Sequence, residues 1–326
     1  MVKKTTRWAM IGTGGMALRI IRDFKRTEGV ELTTIVSRSR EKGLSFAAQW
    51  EIPNVVTDLE RLWETPSIDV VYVATPNSEH YRLARAAIQA HKHVVVEKPI
   101  TMTSAQARDL VALARAAGVF LMEAMWTRFN PTILKVQDVI HAGRIGDVRN
   151  VLSVLGFPIP YEPENRMWDP NLGGGGILDL GVYCVTLANL FLGSPSSVVA
   201  RGRLFETGVD LEASVFLGYP GGKTAIVATS MMAMLTMPGT ICGTLGQIVL
   251  DSYVWSPTGY RVVSADNLEE HFEVPMEGSG YVPMLRAASQ AVLDGRMEHQ
   301  LNPLSGTIGV MDVLDEVVRQ LKLGSP

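Results

Sequence analysis

The sequence predicts a two-domain α/β protein: an N-terminal doubly wound parallel sheet, then an α+β domain built on a large, mostly antiparallel open sheet. Three observations predict it. Strand-like and helix-like patterns alternate about six times by residue 125, which is how a parallel sheet with crossover helices reads. Glycines follow the first apolar strand at once. After Gly146 the strand patterns succeed one another, separated by turn residues instead of helices.

In order, residues 7–11 are an apolar strand and 16–24 an amphipathic helix. Residues 31–36 form the next strand and 40–50 a helix that Pro53 closes. A short strand at 54–56 precedes a helix near 58–63. Residues 68–74 (Ile-Asp-Val-Val-Tyr-Val-Ala) are almost continuously apolar and largely β-branched, suited to a strand buried on both faces. A helix at 78–90 is expected to be capped by Asn77 or Ser78. Strand 93–97, helix 104–117 and strand 119–123 complete the first domain. The second offers strands at 148–156, 197–205, 210–217, 223–230, 240–243, 247–251, 260–264 and 270–274, with a helix at 176–192. Tyr219-Pro220-Gly221-Gly222 is one of its turns. From Val282 the pattern is helical. We place the domains at 1–125 and 126–326, with the terminal helix expected to pack back on the first.

The chain has 326 residues, enough for about two domains. Its 47% hydrophobic and 19% charged composition is that of a soluble globular protein. Thirty Lys+Arg against 33 Asp+Glu give a net charge of −3, so no basic field is available for a nucleic-acid backbone. Cys184 and Cys242 lack metal-type spacing and read as thiols of a reducing compartment. Met1–Arg7 resembles the start of a signal peptide, but only Trp8-Ala9-Met10-Ile11 follows before the glycines. That run is too short for a leader core or a membrane span. A cytoplasmic protein without a membrane partner is expected. No His/Cys/carboxylate cluster has metal spacing.

Gly12-Thr13-Gly14-Gly15-Met16-Ala17 fits G-x-G-x-x-A. The pattern alone is weak, but here it leaves a strand and opens a helix, as a dinucleotide fingerprint requires. Gly12 allows the tight turn, Gly14 the approach of pyrophosphate, and Ala17 close helix–strand packing. An NAD site places Asp or Glu at the end of the second strand to hold the ribose 2′-OH. This chain has Ser37-Arg38-Ser39-Arg40 there and no carboxylate before Glu41. Ser37 can donate to a 2′-phosphate and Arg38 can pair with it. NADP is therefore favoured, with NAD the alternative. A plain solvated helix start is the bland reading of the arginines.

Glu97-Lys98-Pro99 ends the fifth strand, at the edge where open α/β sheets bind ligands. Lys98 can hydrogen-bond a substrate hydroxyl there, and Pro99 fixes the backbone after it through a cis bond or a trans one. A second element, Gly173-Gly174-Gly175-Gly176, runs into a helix bearing Asp179 and Tyr183. Four residues apart, they share one face of an α-helix. Such a pair can hold a sugar-like alcohol and relay its proton. Alone, Asp179 would read as a first-turn charge and Tyr183 as packing.

The chain resembles the glucose–fructose oxidoreductase / inositol dehydrogenase / MocA family. The resemblance rests on Gly12–Ala17, Ala74-Thr75-Pro76-Asn77 with His80, Glu97-Lys98-Pro99, and Gly174–Tyr183, in matching order over nearly the whole chain. Gly243-Thr244-Leu245-Gly246-Gln247-Ile248 is similar to the family's second-domain sheet signature. Many members carry His where Tyr183 stands. Tyr183, with Met122–Phe129 and Arg166–Pro170, resembles the branch of dimeric dihydrodiol dehydrogenases and NADP-dependent D-xylose dehydrogenases. That resemblance implies NADP, a homodimer formed through the second-domain sheet, and Trp126 and Arg128 near the nicotinamide. His80 either touches the cofactor or caps its helix, and the structural role is favoured. Arg166, Trp168 and Asn171 are candidate substrate contacts.

The expected reaction moves hydride between nicotinamide and a secondary or anomeric alcohol of a sugar, polyol or trans-dihydrodiol, or the matching carbonyl. Tyr183 would be the general base and acid, Lys98 would favour its phenolate, and Asp179 would orient substrate or Lys98. Lys98 and Tyr183 can exchange roles. A non-catalytic dinucleotide sensor is the main alternative, although a sensor should have lost Lys98, Asp179 or Tyr183. An NAD-dependent glycosidase is disfavoured by the missing acidic anchor. An aldose–aldose oxidoreductase that keeps its cofactor is a third reading.

Overall fold

A computed structural model describes residues 5–235 and 238–324. The leader-like Met1–Lys4 lies outside them. The chain forms two units. The first takes residues up to Trp126 together with Glu277–Leu304; the second takes Thr127–Met276 and the chain from Ser305.

The first unit alternates β1 (Thr6–Ile11), α1 (Gly15–Arg26), β2 (Val30–Val36), α2 (Arg40–Trp50), β3 (Asn54–Val56) and α3 (Leu59–Trp63). It continues through β4 (Val70–Val73), α4 (Asn77–Gln89), β5 (His93–Val96), α5 (Ser104–Ala117) and β6 (Leu121–Glu123). The six strands are parallel, in the order β3-β2-β1-β4-β5-β6. Val70–Val73 and Val94–Val96 are all fully buried, as central strands covered on both faces must be. The order reverses between β1 and β4, so a crevice opens at their carboxyl ends.

The second unit begins with α6 (Pro131–His141), an element the sequence reading did not include. Asn130 caps it, accepting from the amides of Thr132 and Ile133, and Pro131 opens it. β7 (Val148–Gly156) follows. A π-helical turn, Ile177–Gly181, then runs into α7 (Val182–Leu192). The strands β8 (Ser197–Leu204), β9 (Asp210–Gly218), β10 (Thr224–Ser230), β11 (Thr240–Gly243), β12 (Gly246–Leu250), β13 (Gly259–Ser264) and β14 (Glu269–Glu273) complete the unit's sheet. Its order is β14-β13-β12-β11-β7-β10-β9-β8. Every pairing is antiparallel except β7 with β10. Pro170–Leu192 is long and apolar enough to cross a bilayer, but 72% of its apolar window is buried inside the protein. It is a core helix.

Two helices end the chain, α8 (Val282–Leu293) and α9 (Leu304–Gly324). The helix that returns to the first unit is α8. Terminal α9, expected to return, groups from Ser305 with the second. Hydrogen bonding explains the division. On α8, Ser289 Oγ lies 2.7 Å from Thr6 Oγ1 of β1 and donates to the Gly29 carbonyl. On α9, Gln320 donates to the Val198 carbonyl and accepts from the Ala200 amide of edge strand β8.

Candidate active site

The phosphate loop is shaped by sterics. Gly12 has φ +121, and a Cβ there would stand 2.4 Å from the Ala74 carbonyl oxygen. Only glycine can pass so close to the end of β4. The Gly12 amide donates to the Val36 carbonyl, tying the loop to β2 as well. Ala17 is fully buried against the sheet. Thr13 and Met16 are half-buried and Gly14 and Gly15 exposed. α1 has no side-chain cap, and a Cβ on Gly14 or Gly15 would meet nothing within 4 Å. The first-turn amides, at the positive end of the helix dipole, are thus left for an anion.

At the end of β4, Ala74 is buried and Pro76 exposed. Thr75 Oγ1 is buried with no hydrogen-bond partner. The N-cap of α4 is Pro76, which offers no side-chain oxygen, and Asn77 is the first helical residue. This corrects the expected Asn77 or Ser78 cap. His80 is fully buried, with Nδ1 2.8 Å from the Pro99 carbonyl and Nε2 2.9 Å from the Thr75 carbonyl. It therefore straps the start of α4 to the backbone following Lys98. At the end of β2, Ser37 is buried and Arg38 exposed. A bare hydroxyl, open helix-start amides and a cation at the second strand end fit a dinucleotide. Thr75, the Gly12–Ala17 loop, Ser37 and Arg38 are the residues that would hold it.

Lys98 follows β5, and its bond to Pro99 is cis. Glu97 beside it is buried, accepts from the Tyr72 hydroxyl, and receives the Lys98 amide at 3.3 Å. Burial pushes its carboxyl up to about 7, against the opposing pull of the Tyr72 hydrogen bond and of Lys98 and Arg19. The Glu97 side chain thus links the Lys98 amide to the Tyr72 hydroxyl of β4. Trp126 stacks on Tyr281 at 4.7 Å, and the Arg19 guanidinium stands 5.7 Å from its ring centre. Neither Arg19 nor Tyr281 was singled out from sequence.

In the second unit, Arg166 Nη2 donates to Asp179 Oδ1 at 2.8 Å, while Arg166 Nη1 is buried without a partner. Asp179 lies in the π-helical turn and Tyr183 in the first turn of α7. The winding between them is therefore not the uniform α-helix that four-residue spacing presumes. Tyr183 is 8% exposed, its ring 6.1 Å from that of Trp255. Trp255 stacks on Tyr253 at 4.4 Å and meets Phe157 at 5.5 Å. Thr127 donates to the Trp255 carbonyl, and Asn130 and Thr132 to that of Pro257, fixing this aromatic wall.

Arg128 is buried and donates to Asn189 Oδ1 on α7 at 2.8 Å. Trp168 is 4% exposed and sits among Tyr161 and Phe205, its indole N–H donating to the Pro160 carbonyl. Asn171 is exposed, and its amide is taken by Asp169.

Asp210 is a further residue that sequence reasoning passed over. Its Oδ2 accepts from the Ile177 amide at 2.7 Å, and burial pushes its carboxyl up to about 7 against those backbone hydrogen bonds. Strand periodicity gives no sign of it. A bulge at Arg203/Leu204 interrupts the register with β9, and Val209, Asp210 and Leu211 are all buried.

Bare helix-start amides at the switch point of a parallel sheet, with a lysine at the neighbouring strand end, define a nicotinamide-dependent oxidoreductase. Residues 6–125 match the oxidoreductase family with an NAD-binding Rossmann fold, and residues 133–249 match the GFO/IDH/MocA C-terminal domain. The chain belongs to the GFO/IDH/MocA oxidoreductase family and is a dehydrogenase or reductase that binds NAD(P). It is 34% identical to a trans-1,2-dihydrobenzene-1,2-diol dehydrogenase of Xenopus laevis, over 98% of this chain and 99% of that one. Its fold matches KijD10, a 3-ketoreductase from Actinomadura kijaniata solved in complex with NADP and TDP-benzene. The TM-score is 0.86 at 27% identity, over 99% and 98% of the two chains. An aldose-aldose oxidoreductase from Caulobacter crescentus, complexed with glycerol, gives 0.89 at 26% identity, over 98% of both chains.

Proposed function

We propose that the protein is an NADP-dependent dehydrogenase or reductase of a sugar, polyol or trans-dihydrodiol, acting on a secondary or anomeric alcohol or the matching carbonyl. The observation that carries this reading is the Arg166–Asp179 pair on the turn leading into Tyr183. The Arg166 guanidinium, 40% exposed, and the Asp179 carboxylate place a donor and an acceptor side by side, as a hydroxylated ring requires. The names of the relatives, a dihydrodiol dehydrogenase, a 3-ketoreductase and an aldose oxidoreductase, support the same substrate class.

Bound nicotinamide supplies the hydride acceptor in oxidation and the donor in reduction. The alcohol proton passes to Tyr183 Oη in oxidation and returns from it in reduction. Lys98 Nζ stabilises the oxygen as its charge develops. In a second version Lys98 moves the proton and Tyr183 holds the oxygen. Asp179 orients the ring hydroxyls. Ser37 and Arg38 hold the 2′-phosphate, a reading supported by the buried hydroxyl, the exposed guanidinium and the lack of a carboxylate at that strand end.

A homodimer through the second sheet completes the reading. Val199, Phe216, Ile226 and Leu152 are in register across β8, β9, β10 and β7, and the first three are about half exposed. This apolar row suits a second copy of the chain.

The test is steady-state NADP⁺ reduction and NADPH oxidation with NAD(H) in parallel, over aldopyranoses, 1,5-anhydro-ketoses, trans-dihydrodiols and diketones. Preferred turnover with NADP(H) is expected, and Arg38→Ala should weaken NADPH binding by about tenfold to a hundredfold, the worth of a charged hydrogen bond. Preference for NAD(H) would overturn the 2′-phosphate assignment. No turnover with tight cofactor binding would favour a sensor.

A further inference from the structure

We propose that Asp210 is a positioning residue, capping from β9 the helix start that carries Asp179 and Tyr183 and thereby setting where both side chains stand; this rests on the catalytic assignment of those two residues made above.

The helix start has no cap of its own. Its N-cap is Gly176, which offers no side chain, and the next amide, Ile177, is taken by Asp210 Oδ2 at 2.7 Å. That distance is at the short end for a backbone N–H hydrogen bond to oxygen. Two glycines let the carboxylate reach the backbone. A Cβ on Gly175, at φ +109, would stand 2.2 Å from Asp210 Oδ1, and one on Gly176 3.2 Å from Oδ2. The glycine run thus serves a carboxylate supplied by the protein itself. That carboxylate is 6% exposed and sits at the positive end of the helix dipole.

Asp179 is two residues beyond the capped amide and Tyr183 six. The intervening turn is π-helical, a winding less favourable than the α-helix and held by its surroundings. Restraints on this frame from outside the helix include the Asp210 cap, the Arg166–Asp179 pair, and the Trp255 ring beside Tyr183. Arg166 and Trp255 restrain the side chains; Asp210 holds the backbone. Loss of the cap lets the turn rewind, and the side chains shift together. A misplacement of about 1 Å costs a reaction of this kind up to roughly a hundredfold.

The experiment compares wild type, Asp210→Asn, Asp210→Ser, Asp179→Asn and Tyr183→Phe. Three quantities are read: NADP⁺-dependent oxidation of trans-1,2-dihydrobenzene-1,2-diol and of D-xylose, NADPH affinity by fluorescence, and amide exchange of the peptide spanning residues 174–183 by mass spectrometry. Asn keeps the volume of Asp and an acceptor for the Ile177 amide but cannot ionise, whereas Ser shortens the side chain. Asp210→Ser is expected to lose about tenfold to a hundredfold in kcat, and Asp210→Asn less. NADPH affinity should stay within about twofold, and exchange should accelerate in 174–183. Faster exchange with wild-type kcat would make Asp210 a structural cap only and overturn the proposal, as would unchanged exchange. Failure of both variants to fold would mark a stability residue and likewise overturn it. If Asp179→Asn and Tyr183→Phe keep full turnover, the catalytic assignment itself is wrong. Absence of turnover in wild type removes that assignment and this inference with it.

Discussion

Glu97 is buried, accepts from Tyr72, and has its carboxyl pushed up to about 7 from an ordinary value of 4.5. A carboxyl raised on folding binds its proton more tightly in the native state. Its stabilising contribution is present below the unfolded pKa and is lost as pH rises through the folded one. The window runs from about pH 4.5 to about pH 7, and the loss is about 3 kcal/mol at 1.36 kcal/mol per pKa unit. Glu97→Gln keeps an acceptor for Tyr72 and removes the titration. Urea unfolding of both proteins from pH 5 to 8 should show wild type losing more stability than the variant. Equal slopes would mean that Glu97 stays ionised throughout. Asp210 has the same sign of shift and is present in both proteins, so its contribution cancels in the difference.

At the scale of elements, α8 depends on Asp23 of α1. The Asp23 carboxylate is fully buried and accepts from the Ser279 amide at 2.9 and 3.0 Å and from the Tyr281 amide at 2.9 Å. It anchors the turn into α8 and the Tyr281 ring that stacks on Trp126. Asp23→Ala leaves two amides without acceptors, at about 1–3 kcal/mol each. The urea midpoint should fall by the equivalent of roughly 2–6 kcal/mol with little change in slope; a loss near zero would show that water replaces the carboxylate. Asp23 also marks where sequence reading stops. The alternation of β1 to β6 with their helices was legible because each strand carries its own apolar run and each helix its own stripe. The positions of Lys98 and the Gly12–Ala17 loop at strand ends were legible because each closely follows an apolar strand run. The roles of Asp23, Glu97 and Asp210 were not. Each is a buried carboxyl, and nothing local separates it from a solvated one: Asp23 takes amides about 256 residues away, Glu97 takes a hydroxyl from the adjacent strand, and Asp210 takes an amide from a glycine-opened turn. Helix α6 was missed for the opposite reason. Its Asn130-Pro131 start is a standard cap, but it falls where the strand-helix alternation ends and the strand-rich region has not begun.

For the whole molecule, the feature to account for is an exposed apolar row on the second sheet. Phe216 is 47% exposed, with Val199 at 53% and Ile226 at 49% as its cross-strand neighbours. On the opposite face of the same strands Ala213, Val215 and Leu217 are at most 2% exposed, so the alternation is regular and the outward residues contribute little to folding of the unit. A two-fold dimer would lay this patch on its own copy, where burying about 800 Å² per partner suffices for a stable pair. Phe216→Glu would set like charges facing each other in such a dimer, while costing the monomer no more than about 0.5 kcal/mol, as surface changes do. Sedimentation should give a dimer for wild type and a monomer for the variant at micromolar concentration, with the far-ultraviolet spectrum unchanged. A variant that stays dimeric would move the interface elsewhere. A monomeric wild type would leave the apolar row as surface. Because the row belongs to the second unit and the Gly12–Ala17 loop to the first, the monomeric variant should keep its NADPH affinity, which separates assembly from cofactor binding.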